Sequence, residues 1–130
     1  MSGLTVKYLG VDWGQKRIGL ALGDNEAKVA VPFDIVENFQ DILDIIKSED
    51  IDCIILGEPT KMKGKQIALQ KEYLDFAKKL KKQVQIPVKT VDERLSSKMA
   101  DSLRGGKKVS RADRDALAAM VILQSFLDKE

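Results

Sequence analysis

The stretch GVDWGQKRIGLAL, Gly10 to Leu22, decides the fold. An apolar run enters it through Val6, Tyr8, Leu9 and Val11 and ends on one carboxylate, Asp12. A glycine turn follows, then a second apolar run from Ile18 to Leu22. Strand, short turn, strand is the signature of a β-hairpin. Asp12 stands where the first strand enters the centre of a sheet. An ionised carboxylate is costly there unless it is paired or holds a metal. The competing reading is that Asp12 caps the turn through its side chain, a common use of Asp. On this stretch alone both readings stand.

Working outward, Val6–Gly10 and Arg17–Leu22 read as strands, and Lys28–Ile35 as a third. Pro32 cannot donate to a ladder, so the third strand belongs at an edge. Phe39, Ile42, Leu43 and Ile46 fall on one face of a helix that Asn38 can cap. Cys53–Gly57 is short and apolar throughout, as a buried parallel strand is. After the loop EPTKMKGK (58–65), Leu69, Tyr73, Phe76 and Leu80 stripe a helix over Gln66–Lys82. Val88–Val91 is a fifth strand running into Asp92 and Glu93. A short helix over Ser96–Leu103, the basic loop RGGKKVSR (104–111) and a final helix from after Ser110 to about Leu127 complete the order β-β-β-α-β-α-β-α-α. This order predicts an α/β fold in one domain, 1–130. Three antiparallel meander strands and two parallel strands make a five-stranded mixed sheet with helices on both faces.

Composition narrows the chemistry. At 130 residues, 44% hydrophobic and 32% charged, the chain suits one soluble core. No apolar run approaches the length of a membrane span, and MSGLTVKYLG lacks a secretory signal. Cys53 is the only cysteine, expected as a small buried core residue, so no disulfide framework exists. A cytoplasmic location without membrane contact is the expectation. The absence of histidine removes Ser-His-Asp and Cys-His catalysis and most zinc sites. Carboxylates and lysines are left as actors. Net charge is +2, but it is unevenly placed: −6 over Asp34–Asp52, +7 over Lys61–Lys89 and +4 over Lys98–Arg114. Such asymmetry suggests a basic face for a polyanion. Lys78, Lys79, Lys81 and Lys82 fit a solvated helix face better than a contact to a polyanion.

Three carboxylates carry the functional reading. Asp12 ends the first strand and Glu93, or its neighbour Asp92, the fifth; they converge if strand five lies near strand one. Asp115, Ala119, Ile122 and Phe126 are spaced i, i+4, i+7 and i+11, so Asp115 heads an apolar stripe and faces the sheet. Asp113, three residues after Ser110, is read instead as a capping residue. Three carboxylates together repel, and a divalent cation relieves the repulsion. Oxygen-only ligands suit Mg²⁺ or Mn²⁺. Two such ions about 4 Å apart clamp the attacking and leaving oxygens of a phosphodiester displacement.

GVDWGQKRIGLAL, the stretch Gly57, Glu58, Pro59 to Gly64, VDERLSS and RDALAAMVILQSFL together resemble the YqgF/RuvX family over nearly the whole chain, in order. The resemblance implies a ribonuclease H-like fold. It also implies nuclease activity, described for the family both as Holliday junction resolution and as maturation of the 5′ end of 16S ribosomal RNA. The implied metal-binding and catalytic carboxylates are Asp12, Glu93 and Asp115, served by a pair of Mg²⁺ or Mn²⁺ ions. Arg17 and Arg94 match basic positions of the family. Glu58 departs from the leucine of its Gly-Leu-Pro motif and adds an acid to that loop. Related resolvases use a fourth carboxylate, which neither Asp92 nor Asp113 clearly supplies.

Lys16, Arg17, Lys61, Lys63, Arg94, Lys98, Arg104, Lys107, Lys108 and Arg111 surround the expected site and are the expected phosphate contacts. Trp13 suits packing beside the hairpin better than stacking on a base. The leading expectation is an endonuclease of precursor 16S ribosomal RNA, a monomer or weak homodimer whose partners are structured RNA, ribosomal precursor particles or branched DNA. A junction resolvase, which needs two-fold symmetry, is the alternative. A binding module with a vestigial site is a rival of another class. An actin-like ATPase fragment shares the opening strand-Asp-x-Gly, but 130 residues cannot supply its two domains.

Overall fold

A computed structural model describes residues 5–59, 67–92 and 111–129. The hairpin forms as β1 (Lys7–Trp13) and β2 (Ile18–Asp24), with Asp12 opposite Gly19 and Trp13 opposite Ile18. The ladder therefore runs three residues past the expected end at Gly10, and Asp12 is a strand residue, not a turn cap. β3 (Val31–Val36) pairs antiparallel with β2 and lies at the edge, as Pro32 requires. A bulge relieves the proline: Leu20 faces Asp34 while Ala21 faces Pro32.

β3 begins three residues later than the sequence suggests, because the chain after β2 turns tightly. The Asp24 carboxylate accepts hydrogen bonds from the N–H groups of Glu26 (2.9 Å) and Ala27 (2.7 Å), and Lys28 takes a left-handed φ of 55°. The Gln124 side chain stands in for the missing strand partner. It accepts from the Ala30 N–H at 2.8 Å and donates to the Lys28 carbonyl at 2.9 Å. Ala30 is buried, so Gln124→Ala strands a backbone donor out of water. The expected cost is about 1–3 kcal/mol, read as a lower urea midpoint with an unchanged slope.

The chain continues through α1 (Phe39–Ser48), β4 (Cys53–Glu58), α2 (Ile67–Gln83), β5 (Val88–Asp92) and α3 (Arg111–Lys129). Asn38 occupies the N-cap position of α1, but its side chain makes no capping bond. β4 lies parallel to β1, and β5 parallel to β4, giving the sheet order β3-β2-β1-β4-β5. The helix expected over Ser96–Leu103 falls outside the described residues.

Alternation along the strands sorts side chains to two faces. Leu9, Val11, Ile54 and Leu56 pack with Ile42 of α1 and Tyr73, Ala77 and Leu80 of α2. Tyr8, Ala21, Cys53 and Ile55 pack with Ala119, Ile122, Leu123 and Leu127 of α3. Helices thus cover both faces. Trp13 belongs to the first face, its ring centroid 6.0 Å from Tyr73 and 6.3 Å from Phe76, so its indole packs against α2. Among the described residues no helix is long and apolar enough to cross a membrane.

Candidate active site

Asp12 follows Tyr8 and Gly10 in alternation, and both of those meet α3. The Tyr8 ring stacks edge-on against Phe126 at 5.1 Å. At Gly10 the helix comes so close that a Cβ would lie 2.8 Å from the Leu123 Cβ and 2.9 Å from the Ala119 carbonyl oxygen. The approach is closer still at Gly19, where a Cβ would lie 2.1 Å from the carbonyl oxygen of Asp115. Gly19 is also the ladder partner of Asp12. The first turns of α3 therefore rest on the hairpin, and the backbone of Asp115 lies against Gly19, the ladder partner of Asp12. The apolar stripe that heads on Asp115 is buried as expected, with Ala119 and Ile122 both at 0% exposure.

The two carboxylates differ in setting. Oδ1 of Asp12 is shut off from solvent, whereas the Asp115 side chain is 33% exposed. Nε of Arg17, in the hairpin turn, lies 3.3 Å from Oδ2 of Asp115. Arg17 thus has a partner on α3, a contact that its expected role toward phosphate did not include. Lys16, beside it, is exposed. Glu93 follows directly after β5 and lies outside the described residues, as do Lys61, Lys63, Arg94, Lys98, Arg104, Lys107 and Lys108. Arg111 opens α3, and its side chain is outside the description.

β4 stands between β1 and β5, so the fifth strand is not laid directly beside the first. Of the acids weighed as a fourth ligand, Asp92 ends β5 and lines a cavity with Phe126 and Lys129, near the C-terminal end of α3, whereas Asp115 lies near its start. The Asp113 side chain is not described. Glu58 alternates with Ile54 and Leu56, also on the α1 and α2 side. No group of three Asp, Glu or Cys able to hold a metal occurs among the described residues. The described part is the Asp12–Asp115 pair, whose oxygen-only donors, one of them withdrawn from water, match a hard divalent cation.

The glycines that admit α3 were not singled out from the sequence. The available signal was a glycine inside each apolar strand, Gly10 and Gly19, which marks close approach of another backbone.

A mixed sheet of this order, with helices on both faces, is a ribonuclease H-like arrangement. Thermus thermophilus RuvC in complex with a Holliday junction substrate superposes with a TM-score of 0.62 at 14% identity, over 95% of each chain. Fowlpox virus resolvase with junction DNA superposes at 0.57 and 12% identity, over 95% of this chain and 98% of that one. The sequence model of the RuvX family, described as Holliday junction resolvase, matches residues 6–129, and the chain belongs to that family. Relatives named "Putative pre-16S rRNA nuclease" include one from Maridesulfovibrio salexigens, 33% identical over 94% of this chain and 98% of its own length. Another, from Chlamydia pneumoniae, is 40% identical over 93% of this chain and 89% of its own.

Proposed function

We propose that the chain is a divalent-metal-dependent endonuclease that hydrolyses phosphodiester bonds at the 5′ region of precursor 16S ribosomal RNA in the cytoplasm. The observation that carries this reading is the seating of Asp115 over Gly19, beside Asp12. The names of its relatives support the RNA substrate. Asp12, Asp115 and Glu93 would hold Mg²⁺ or Mn²⁺, which supplies Lewis-acid polarisation of the phosphate and a water of lowered pKa. The ladder from β2 fixes the backbone of Asp12, so that carboxylate is preorganised. Asp115 is carried on a helix clamped against the same strands. With no histidine in the chain, these carboxylates orient the attacking water.

Lys16, the basic residues of 61–63 and 94–108, and Arg111 are proposed to grip phosphates. Affinity for RNA is then expected to fall steeply with salt, log K against log[salt] losing about 0.7 per single-strand phosphate contact. A flat dependence measured by anisotropy would contradict a phosphate-dominated mode.

The family description and the junction-bound structures favour a second reading, cleavage of DNA four-way junctions. That chemistry asks for a two-fold dimer. Of the residues that fall off the main helical stripes, Ile45 packs on the core while Leu74 is 54% exposed. The deciding experiment offers wild-type protein an RNA spanning the 16S 5′ end and a four-way DNA junction, with Mg²⁺ or Mn²⁺, while solution mass is measured. Preferred cutting of the RNA by a monomer is expected. Symmetric cutting of the junction by a dimer would select the second reading. Salt-sensitive binding without cutting of either would mark a binding module.

A further inference from the structure

We propose that Arg17 is an internal counter-ion of the carboxylate pair, holding Asp115 in place until a divalent cation takes that carboxylate over, and that the released guanidinium then meets substrate phosphate. This rests on the metal-dependent reading above. Arg17 shares its strand parity with Gly19 and Ala21, the residues that meet α3. Asp115 is seated on Gly19 through its own carbonyl. One backbone contact therefore fixes both partners, and exchange of the cation asks only the side chains to move.

The strength of the pair suits a temporary holder. Its side chains are 34% and 33% exposed with N and O 3.3 Å apart, and pairs so exposed are worth at most about 1 kcal/mol. That is enough to bias a side chain and too little to withhold it from a dication. Two neighbouring carboxylates repel, and the single charge of a guanidinium relieves less of that repulsion than a doubly charged ion does. Arg17 also adjoins exposed Lys16 in the hairpin turn, and a guanidinium freed beside a second cation is suited to a phosphate.

The sign of one measurement separates this role from simple bracing. A brace, when removed, lets Asp115 wander and weakens metal binding. A competing cation, when removed, strengthens it. Calorimetric titration with Mn²⁺ alone is expected to show Arg17→Gln binding about 3- to 5-fold tighter than wild type, with Arg17→Lys close to wild type. With Mn²⁺ saturating, Arg17→Gln is expected to bind RNA more weakly, its salt slope reduced by about 1. In wild type, the Arg17 Nε resonance is expected to shift as Mg²⁺ is added, a readout that needs no variant. Unchanged or weaker Mn²⁺ affinity in folded Arg17→Gln, an Arg17 resonance indifferent to Mg²⁺, or an unaltered salt slope would overturn the proposal. Wild-type Mn²⁺ affinity in Asp12→Asn would instead place the ion elsewhere and overturn the metal site itself.

Discussion

Asp12→Asn is expected to lower metal-dependent cleavage about 1,000-fold, some 4 kcal/mol in the barrier, while leaving the protein at least as stable as wild type. The loss follows from position. Asp12 is held by the ladder opposite Gly19, with Oδ1 closed to solvent, so its carboxylate is fixed in place before the metal arrives. The stability follows from charge. Carboxylates gathered at a metal site repel one another, a cost that binding chemistry requires and folding does not. Asparagine keeps the shape and removes the charge. A melting temperature equal to or above wild type, alongside lost cleavage, is the expected pairing. A variant that loses both together would mark Asp12 as structural.

Gly19→Ala is the second large effect, and it acts through the helix. The added methyl lands 2.1 Å from the Asp115 carbonyl oxygen, a backbone atom with no rotamer to yield. Ordinary contact is reached only if the start of α3 lifts by more than an ångström. Overpacking of this kind costs about 1–3 kcal/mol, and displacement of a reacting group by about 1 Å costs about 100-fold in rate. Gly10→Ala supplies the comparison. Its methyl meets Leu123 and Ala119 at 2.8 and 2.9 Å, one to two turns further along α3. It is expected to cost similar stability and much less activity, because the helix can pivot about the end that carries Asp115. Thermal denaturation and cleavage rates measured on both variants separate loss of fold from loss of alignment.

Much of this arrangement was legible in the chain. The hairpin, the edge placement forced by Pro32, the two-faced sheet and the burial of the apolar stripe headed by Asp115 all follow from alternation and helical spacing, which are local properties. What was hidden depends on contacts between distant segments. The strand order that inserts β4 between β1 and β5 is not written in any one of those strands. The late start of β3 comes from an Asp24 turn and from Gln124, 94 residues away from the Ala30 amide that it accepts. Arg17 was read for its charge toward phosphate, since sequence gives no hint that α3 would bring Asp115 within 3.3 Å of it. Gly10 and Gly19 read as breaks in apolar strands until the helix that fills their missing side chains is in place.

The most direct measurement is anomalous diffraction from crystals soaked in Mn²⁺. A peak ligated by the carboxylates of both Asp12 and Asp115 is the result that follows from α3 resting on Gly19. Mn²⁺ bound elsewhere, or bound by only one of the two aspartates with Asp115 still paired to Arg17, would contradict a shared metal site.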